Sequence, residues 1–285
     1  MDHVLGWLKD FEDPRDYTID SQEVSSFLVE ATAFGNQGGI AIPEKYTVSN
    51  GKDLPDIKNQ GSLGSCTAQA GCYMYETYVR LLEDSVGRYV NFSRLFLYKV
   101  TRNLLGWSTD SGAYLRTTMQ SMAMFGLPLE DFWKYDIGNF NDEPSAFLYS
   151  MAQNYQALTY YRLDRNGKDR DNVINSIKLN LVADRPCIFG FVVFSNLGNS
   201  GNVALPGPRD RQTGGHAVCC VGYDDNHVIG DCKGAFIFAN SWGAQWGENG
   251  FGHLPYEYVR QRLATDWWTM HKAEWLDTES FAKEK

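Results

Sequence analysis

Gln60-Gly61-Ser62-Leu63-Gly64-Ser65-Cys66-Thr67-Ala68-Gln69-Ala70 decides how this chain is read. A loop punctuated by glycine and serine runs into helix-forming residues, and a cysteine sits at the junction. The unpaired N–H groups and positive end of a helix favour a thiolate at such a place and lower the thiol pKa. Free cysteines are also among the most buried residues, so an inert core cysteine at a helix start fits this stretch equally well. The two readings stay open until residues far along the chain are considered.

Downstream of Cys66, the residues Ala70, Tyr73, Met74, Thr77, Tyr78, Leu81 and Leu82 recur at helical spacing and predict a helix from Ser65 to about Leu82. Such a helix is long enough to pass through a domain core. Ser93 opens a second helical pattern that ends at Leu104-Leu105-Gly106-Trp107, and Asp110-Ser111-Gly112 reads as a turn and cap for a third, at 113–125. A short helix is expected around 144–154. Beyond it the period changes. Residues 157–163 and 187–193 read as strands, 170–183 as a helix, and 195–215 as a loop. Residues 216–224, 235–240 and 251–255 read as strands bounded by Gly and Asp turns, which suits an antiparallel, partly barrel-like sheet.

The first 50 residues mix Asp, Pro, Ser, Thr and Gly with short apolar pieces. They read as an extended arm on the main domain, with one short helix near 21–30, and are a candidate regulatory or pro-like segment. The catalytic domain is expected at 51–265, helical over about 60–150 and sheet-rich over about 155–265. A polar C-terminal tail is expected at 266–285.

Composition narrows the function. The 285 residues carry a formal net charge of -9 and are rich in aromatics, with 8 Trp, 16 Tyr and 16 Phe. Without a basic stripe, nucleic-acid binding is not expected. No apolar run approaches a membrane span, and the start at Met1 lacks the basic and apolar regions of a signal peptide. The cysteines at 66, 72, 187, 219, 220 and 232 show neither disulfide-scaffold density nor paired zinc-ligand spacing. Reduced thiols, an intracellular (cytoplasmic) setting, no membrane association, no metal and no cofactor are expected. Oligomeric state is not legible.

If Cys66 is a nucleophile, it needs a base. Five histidines are available, at 3, 216, 227, 253 and 271. His216 follows Gly214-Gly215 and begins the apolar strand Ala217-Val218-Cys219-Cys220-Val221, so a rigid element would hold its ring. Asn240-Ser241-Trp242-Gly243 supplies a partner. An Asn side-chain oxygen can fix the imidazole tautomer, and Trp242 can cover that hydrogen bond. Cys66 and His216 lie in the helical and the sheet-rich half respectively, which places a site in the cleft between them.

These segments resemble the papain-like cysteine peptidases, over about residues 50–260. Gln60-Gly61 and Gly64-Ser65-Cys66 resemble the family's oxyanion-hole and nucleophile segment, and Gly214-Gly215-His216-Ala217-Val218 its histidine strand. Asn240-Ser241-Trp242-Gly243, followed by Trp246-Gly247-Glu248-Asn249-Gly250-Phe251, resembles its asparagine loop. Thr109-Asp110-Ser111-Gly112 resembles the segment lining the non-primed subsites. The resemblance implies an α+β fold, with a helical left subdomain, an antiparallel β-barrel-like right subdomain and the active-site cleft between them. It also implies acyl transfer onto peptide or protein substrates. In that reading Cys66, His216, Asn240 and Gln60 are catalytic, and Gly64, Ser65, Ser111, Gly112, Gly215 and Trp242 bind substrate or shape the cleft.

Two departures stand out. Leu63 occupies the position of a cysteine that the family usually pairs with one near Thr109, and neither is present. Thr67 replaces an aromatic residue after the nucleophile. Together with the lack of a long helical pro-segment, these departures resemble the non-secreted prokaryotic and viral branch. Other acyl-transfer activities remain open: an aminopeptidase of bleomycin-hydrolase type, transpeptidase, isopeptidase or amidase. So does a non-catalytic module that kept the fold.

Overall fold

The computed structural model describes residues 4–22, 24, 42–52, 54–82, 90–165, 167 and 169–275. Helices α1 (Cys66–Leu82), α2 (Arg94–Leu105), α3 (Leu115–Met124) and α4 (Ala146–Ala152) make up the first half. Strands β1 (Lys45–Thr47), β2 (Tyr155–Arg162), β3 (Cys187–Phe194), β4 (Gln212–Ile229), β5 (Cys232–Ala239), β6 (Phe251–Pro255) and β7 (Ala264–Trp275) form one antiparallel sheet. Its order is β2-β7-β3-β4-β5-β6, with β1 also paired to β4. Helices α5 (Arg170–Val182) and α6 (Tyr256–Arg260) pack on this half. The mixed α+β architecture is the one the sequence implied.

Helix α1 is the pillar between the halves. Residues 63–77 are all buried, so the helix has no solvent face over its first three turns. Its one buried acid is compensated: Glu76 accepts from Arg94 at 2.9 Å and from the Phe92 N–H at 2.8 Å. One side of α1 packs on α2 and α3, and the other on β4. That contact sets the β4 backbone against the Cys66 sulfur. Helix α2 begins as Ser93 predicts, with the hydroxyl oxygen accepting from the Phe96 N–H at 3.2 Å. It ends at Gly106 with φ +70°, a conformation glycine adopts without a Cβ clash.

Several expectations shift. Asp110-Ser111-Gly112 does not cap α3; Tyr114 holds the N-cap position without a side-chain bond, and Asp110 is engaged elsewhere. β4 starts at Gln212 rather than His216, because Gly214 and Gly215 pair with Val193 and Val192 instead of looping out. The boundary at 265 does not hold. β7 runs to Trp275 in the middle of the sheet, between β2 and β3, with Trp267 stacked on Phe189 at 4.0 Å. Of the expected tail, 276–285, and of the expected helix near 21–30, residues 23 and 25–30, lie outside the described residues. No helix among the described residues is long and apolar enough to cross a membrane. All six cysteines are free, five of them buried.

Candidate active site

The helical wall of the cleft is built by buried hydrogen bonds. The Gln60 backbone N–H donates to Ser241 O at 2.9 Å, tying the loop before α1 to the sheet half. The Ser241 hydroxyl donates to Gln60 Oε1 at 2.6 Å. With its oxygen so held, the Gln60 amide must present Nε2 the other way, where it donates to Leu63 O (2.9 Å) and to Val4 O (3.1 Å). Tyr135 braces the same loop, donating to Gln60 O at 3.0 Å and meeting Ser65 Oγ at 2.6 Å. The Gly64 N–H donates to both carboxylate oxygens of Asp110, at 3.0 and 3.1 Å. Tyr98 donates to the same carboxylate at 2.6 Å and accepts from the Gly112 N–H at 3.2 Å. Asp110 therefore joins the two segments between which the family resemblance places a disulfide.

The sheet wall is built by aromatic packing. His216 lies on β4 opposite Phe191, whose ring meets it edge-on at 5.8 Å, and its imidazole is stacked on Trp242 at 4.3 Å. Asn240 follows the last residue of β5. Its Oδ1 accepts from the Ser241 N–H at 2.8 Å and lies 2.7 Å from His216 Nε2. Since Oδ1 acts as the acceptor in the first bond, the second identifies Nε2 as the protonated nitrogen. His216 is fully buried under these groups.

The N-terminal arm lies along the cleft between the walls. Ala113 N–H donates to Gly6 O (2.8 Å), Leu8 N–H to Ala113 O (3.1 Å) and Trp7 N–H to Gly215 O (3.0 Å). Contact with the walls is backbone to backbone: a Cβ on Gly6 would lie 2.0 Å from Gly64 O, and one on Gly112 would lie 2.2 Å from Gly6 O. Beyond the cleft the arm is held by charge. Arg116 pairs with Asp10 and Asp16, at 2.5 and 2.7 Å. Cys66 is fully buried beneath Gly6. Burial pushes its thiol pKa up to about 11, against hydrogen bonds from the backbone of Ala217, Gly6, Thr67 and Cys66 itself. The lowering expected from the helix start is thus outweighed while the arm is in place.

Of the residues expected at the site, Gln60, Gly64, Gly112 and Gly215 line the arm, Cys66 lies beneath it, and His216, Asn240 and Trp242 form one cluster on the opposite wall. Ser65 turns its hydroxyl inward to Tyr135, and Ser111 is exposed with its hydroxyl on Thr109 O at 3.4 Å. Sequence reasoning did not single out Ser241, Asp110, Tyr98, Tyr135, Trp7 or Asp266. Ser241 and Asp110 sit inside the motifs already quoted, so their position was a signal. The two tyrosines carried none. Among the described residues, no group of three or more His, Cys, Asp or Glu is placed to hold a metal ion.

A thiol at the head of a buried central helix, set against a strand that carries histidine, is the ground plan of a thiol hydrolase. The chain belongs to the papain family of cysteine proteases, whose family model matches residues 42–264. It is 33% identical over 279 residues to an uncharacterized peptidase C1-like protein of Acanthamoeba polyphaga mimivirus, covering 94% of this chain and 86% of that protein. Papain from Carica papaya is 24% identical over 239 residues, 76% of this chain and 56% of papain's. Among solved structures, xylellain, a cysteine protease from Xylella fastidiosa, superposes with TM-score 0.74 at 29% identity, covering 94% of this chain and 96% of that one. The viral and bacterial relatives agree with the branch the sequence suggested.

Proposed function

We propose that Cys66, His216, Asn240 and Gln60 carry out peptide-bond hydrolysis through a thioester acyl-enzyme, and that the described form is latent. The observation that carries this reading is the Gln60 Nε2 donor, already bound to the peptide carbonyl of Val4 in the same cleft wall as Cys66. A donor held ready by Ser241 suits an oxyanion that forms as the Cys66 sulfur attacks a scissile carbonyl. His216, its Nε2 held by Asn240, does the acid–base work through Nδ1. It takes the thiol proton, delivers it to the leaving amine, and then activates water to hydrolyse the thioester. Asn240 is a positioning residue. Gly112 and Gly215 let the substrate backbone approach as the arm does. The six free thiols fit a reducing compartment, and peptides or proteins are the substrates the family suggests.

The arm blocks this chemistry twice: it fills the backbone sites of the cleft and keeps Cys66 dry and protonated. Labelling with a peptidyl fluoromethyl ketone tests the assignment. Wild type is expected to be labelled slowly, Trp7→Ala faster, and Cys66→Ser in either background not at all. Labelling that survives Cys66→Ser, or that moves to another cysteine, refutes Cys66 as the nucleophile.

A further inference from the structure

The two halves of the molecule also meet behind Asn240. There Ala70 and Tyr73 of α1 face Ala217 of β4 and Ala239 at the end of β5. The three alanines are too short to close the gap, and a cavity of about 10 Å³ remains, lined as well by Gln69 and Asn240. That is the room of one water molecule and of nothing larger.

Polar groups converge on this cavity. Asn240 is 4% exposed and Tyr73 5%, and neither Asn240 Nδ2 nor Tyr73 Oη has a hydrogen-bond partner among the described residues. Gln69 contributes a third buried polar atom, Nε2. The oxygen of the Asn240 amide is already engaged by the Ser241 N–H and by His216 Nε2, so the amide turns its Nδ2 away from the imidazole. Burial pushes the Tyr73 hydroxyl well above its ordinary pKa, so it stays neutral and can both give and accept a hydrogen bond. A dry cavity in a core is apolar, whereas unpartnered polar groups around a space of this size hold a water, usually through about three bonds.

The position of Tyr73 gives that water a task. It lies seven residues after Cys66, about two turns along α1 and on the same face. The helix that carries the thiol therefore also reaches the asparagine behind the histidine. Two bonds to Oδ1 leave the plane of the Asn240 amide free to rock about them. A bond to Nδ2 fixes that plane and raises the cost of an amide flip, which would set Nδ2 against two N–H donors, those of Ser241 and His216.

We propose that one buried water, accepting from Asn240 Nδ2 and Gln69 Nε2 and donating to Tyr73 Oη, ties Asn240 to α1, and that Tyr73 is thereby a positioning residue for His216. The inference rests on the peptidase reading above and adds to it a residue on the nucleophile's own helix.

Crystallography and NMR of the full-length chain test it. Wild-type crystals at high resolution should show a water peak within about 3.2 Å of both Asn240 Nδ2 and Tyr73 Oη. With isotope-labelled histidine, the Nε2–H proton of His216 is identified by its loss in His216→Ala. Its exchange with solvent is expected to be about tenfold faster in Tyr73→Phe than in wild type, as the loss of one buried hydrogen bond predicts. Tyr75→Phe, on the opposite side of the same helix, should leave that rate unchanged, which separates positioning from a general loosening of α1. Labelling of Cys66 by a peptidyl fluoromethyl ketone should slow in Tyr73→Phe by a similar factor in its saturating rate, with the half-saturating concentration unchanged. A wild-type cavity without a water peak, or equal exchange in wild type and Tyr73→Phe, overturns the proposal and leaves the peptidase reading standing. Failure of the fluoromethyl ketone to label any of these proteins overturns the peptidase reading, while the water peak and the exchange rates still decide whether Tyr73 holds Asn240.

Discussion

The two walls of the cleft are held by opposite means. On the helical side, Gln60, Gly64 and Ser65 are pinned by Ser241, Asp110, Tyr98 and Tyr135 through short hydrogen bonds, three of them at 2.6 Å. On the sheet side, His216 sits among Phe191, Trp242 and the β4 ladder, with its Nε2 on Asn240 Oδ1. In the proposed reaction the helical wall holds the groups that stay put as charge develops, and directional bonds suit that task because a displaced donor loses much of its value. In the proposed reaction the sheet wall holds the ring that exchanges protons, and stacking on Trp242 fixes the plane of that ring. The sheet wall also leaves space, at Gly190 and Gly215, for the Trp7 ring.

The largest expected difference is between the thiol under the arm and the thiol without it. Cys66 is an acid whose pKa is raised to about 11, so thiolate is scarce at pH 7 and grows about tenfold per pH unit up to that value. Iodoacetamide alkylation of the intact chain, followed by mass spectrometry, should rise with that slope from pH 7 to 10. In Trp7→Ala the rate at pH 7 should rise by about a hundredfold and the slope should flatten, as water and the helix start lower the pKa. Identical pH profiles for the two proteins would mean that the sheet wall, not the arm, keeps the thiol protonated.

Asp110→Ala probes the helical wall. It strands the Gly64 N–H and the Tyr98 hydroxyl, at a cost of about 2 kcal/mol. Thermal unfolding should move down by roughly 4–8 °C. An unchanged melting temperature would show that the Asp110 bridge does not stand in for the missing covalent link.

Ser241→Ala is the mildest probe. The Gln60 amide loses the bond that sets its orientation, and kcat on a peptide substrate should fall about tenfold with KM little changed. A change in KM alone would place Ser241 in substrate binding instead.

Much of this was visible in the residues. The Gly-Ser turn into α1, the Ser93 and Gly106 ends of α2, and the two motifs around His216 and Asn240 are local signals, and local rules read them correctly. β7 was hidden because a strand buried on both faces has no alternation to detect. It also carries Asp266 and Thr269, which look like loop residues until Arg162 and the Pro186 carbonyl are seen to satisfy them. Gly214-Gly215 was read as loop because glycine disfavours strands. Here the lost Cβ atoms make room for Leu5 and Trp7. Asp110 was read as a helix cap because Asp before a helix usually is one; its carboxylate instead found the Gly64 N–H, 46 residues away.

By itself the sequence determined the chemistry on offer: a cysteine at a helix start, a histidine on a strand, an asparagine beside a tryptophan, in an order that resembles one family. Tertiary structure decided what that chemistry does in this form of the chain. Residues 4–8 read only as part of a candidate regulatory or pro-like arm, because nothing local distinguishes a segment that packs anywhere from one that packs in the cleft. Only the fold sets Gly6 over Cys66 and Trp7 over Asp266, since both contacts join residues 60 or more positions apart, and such pairings are chosen by complementary surfaces rather than by spacing.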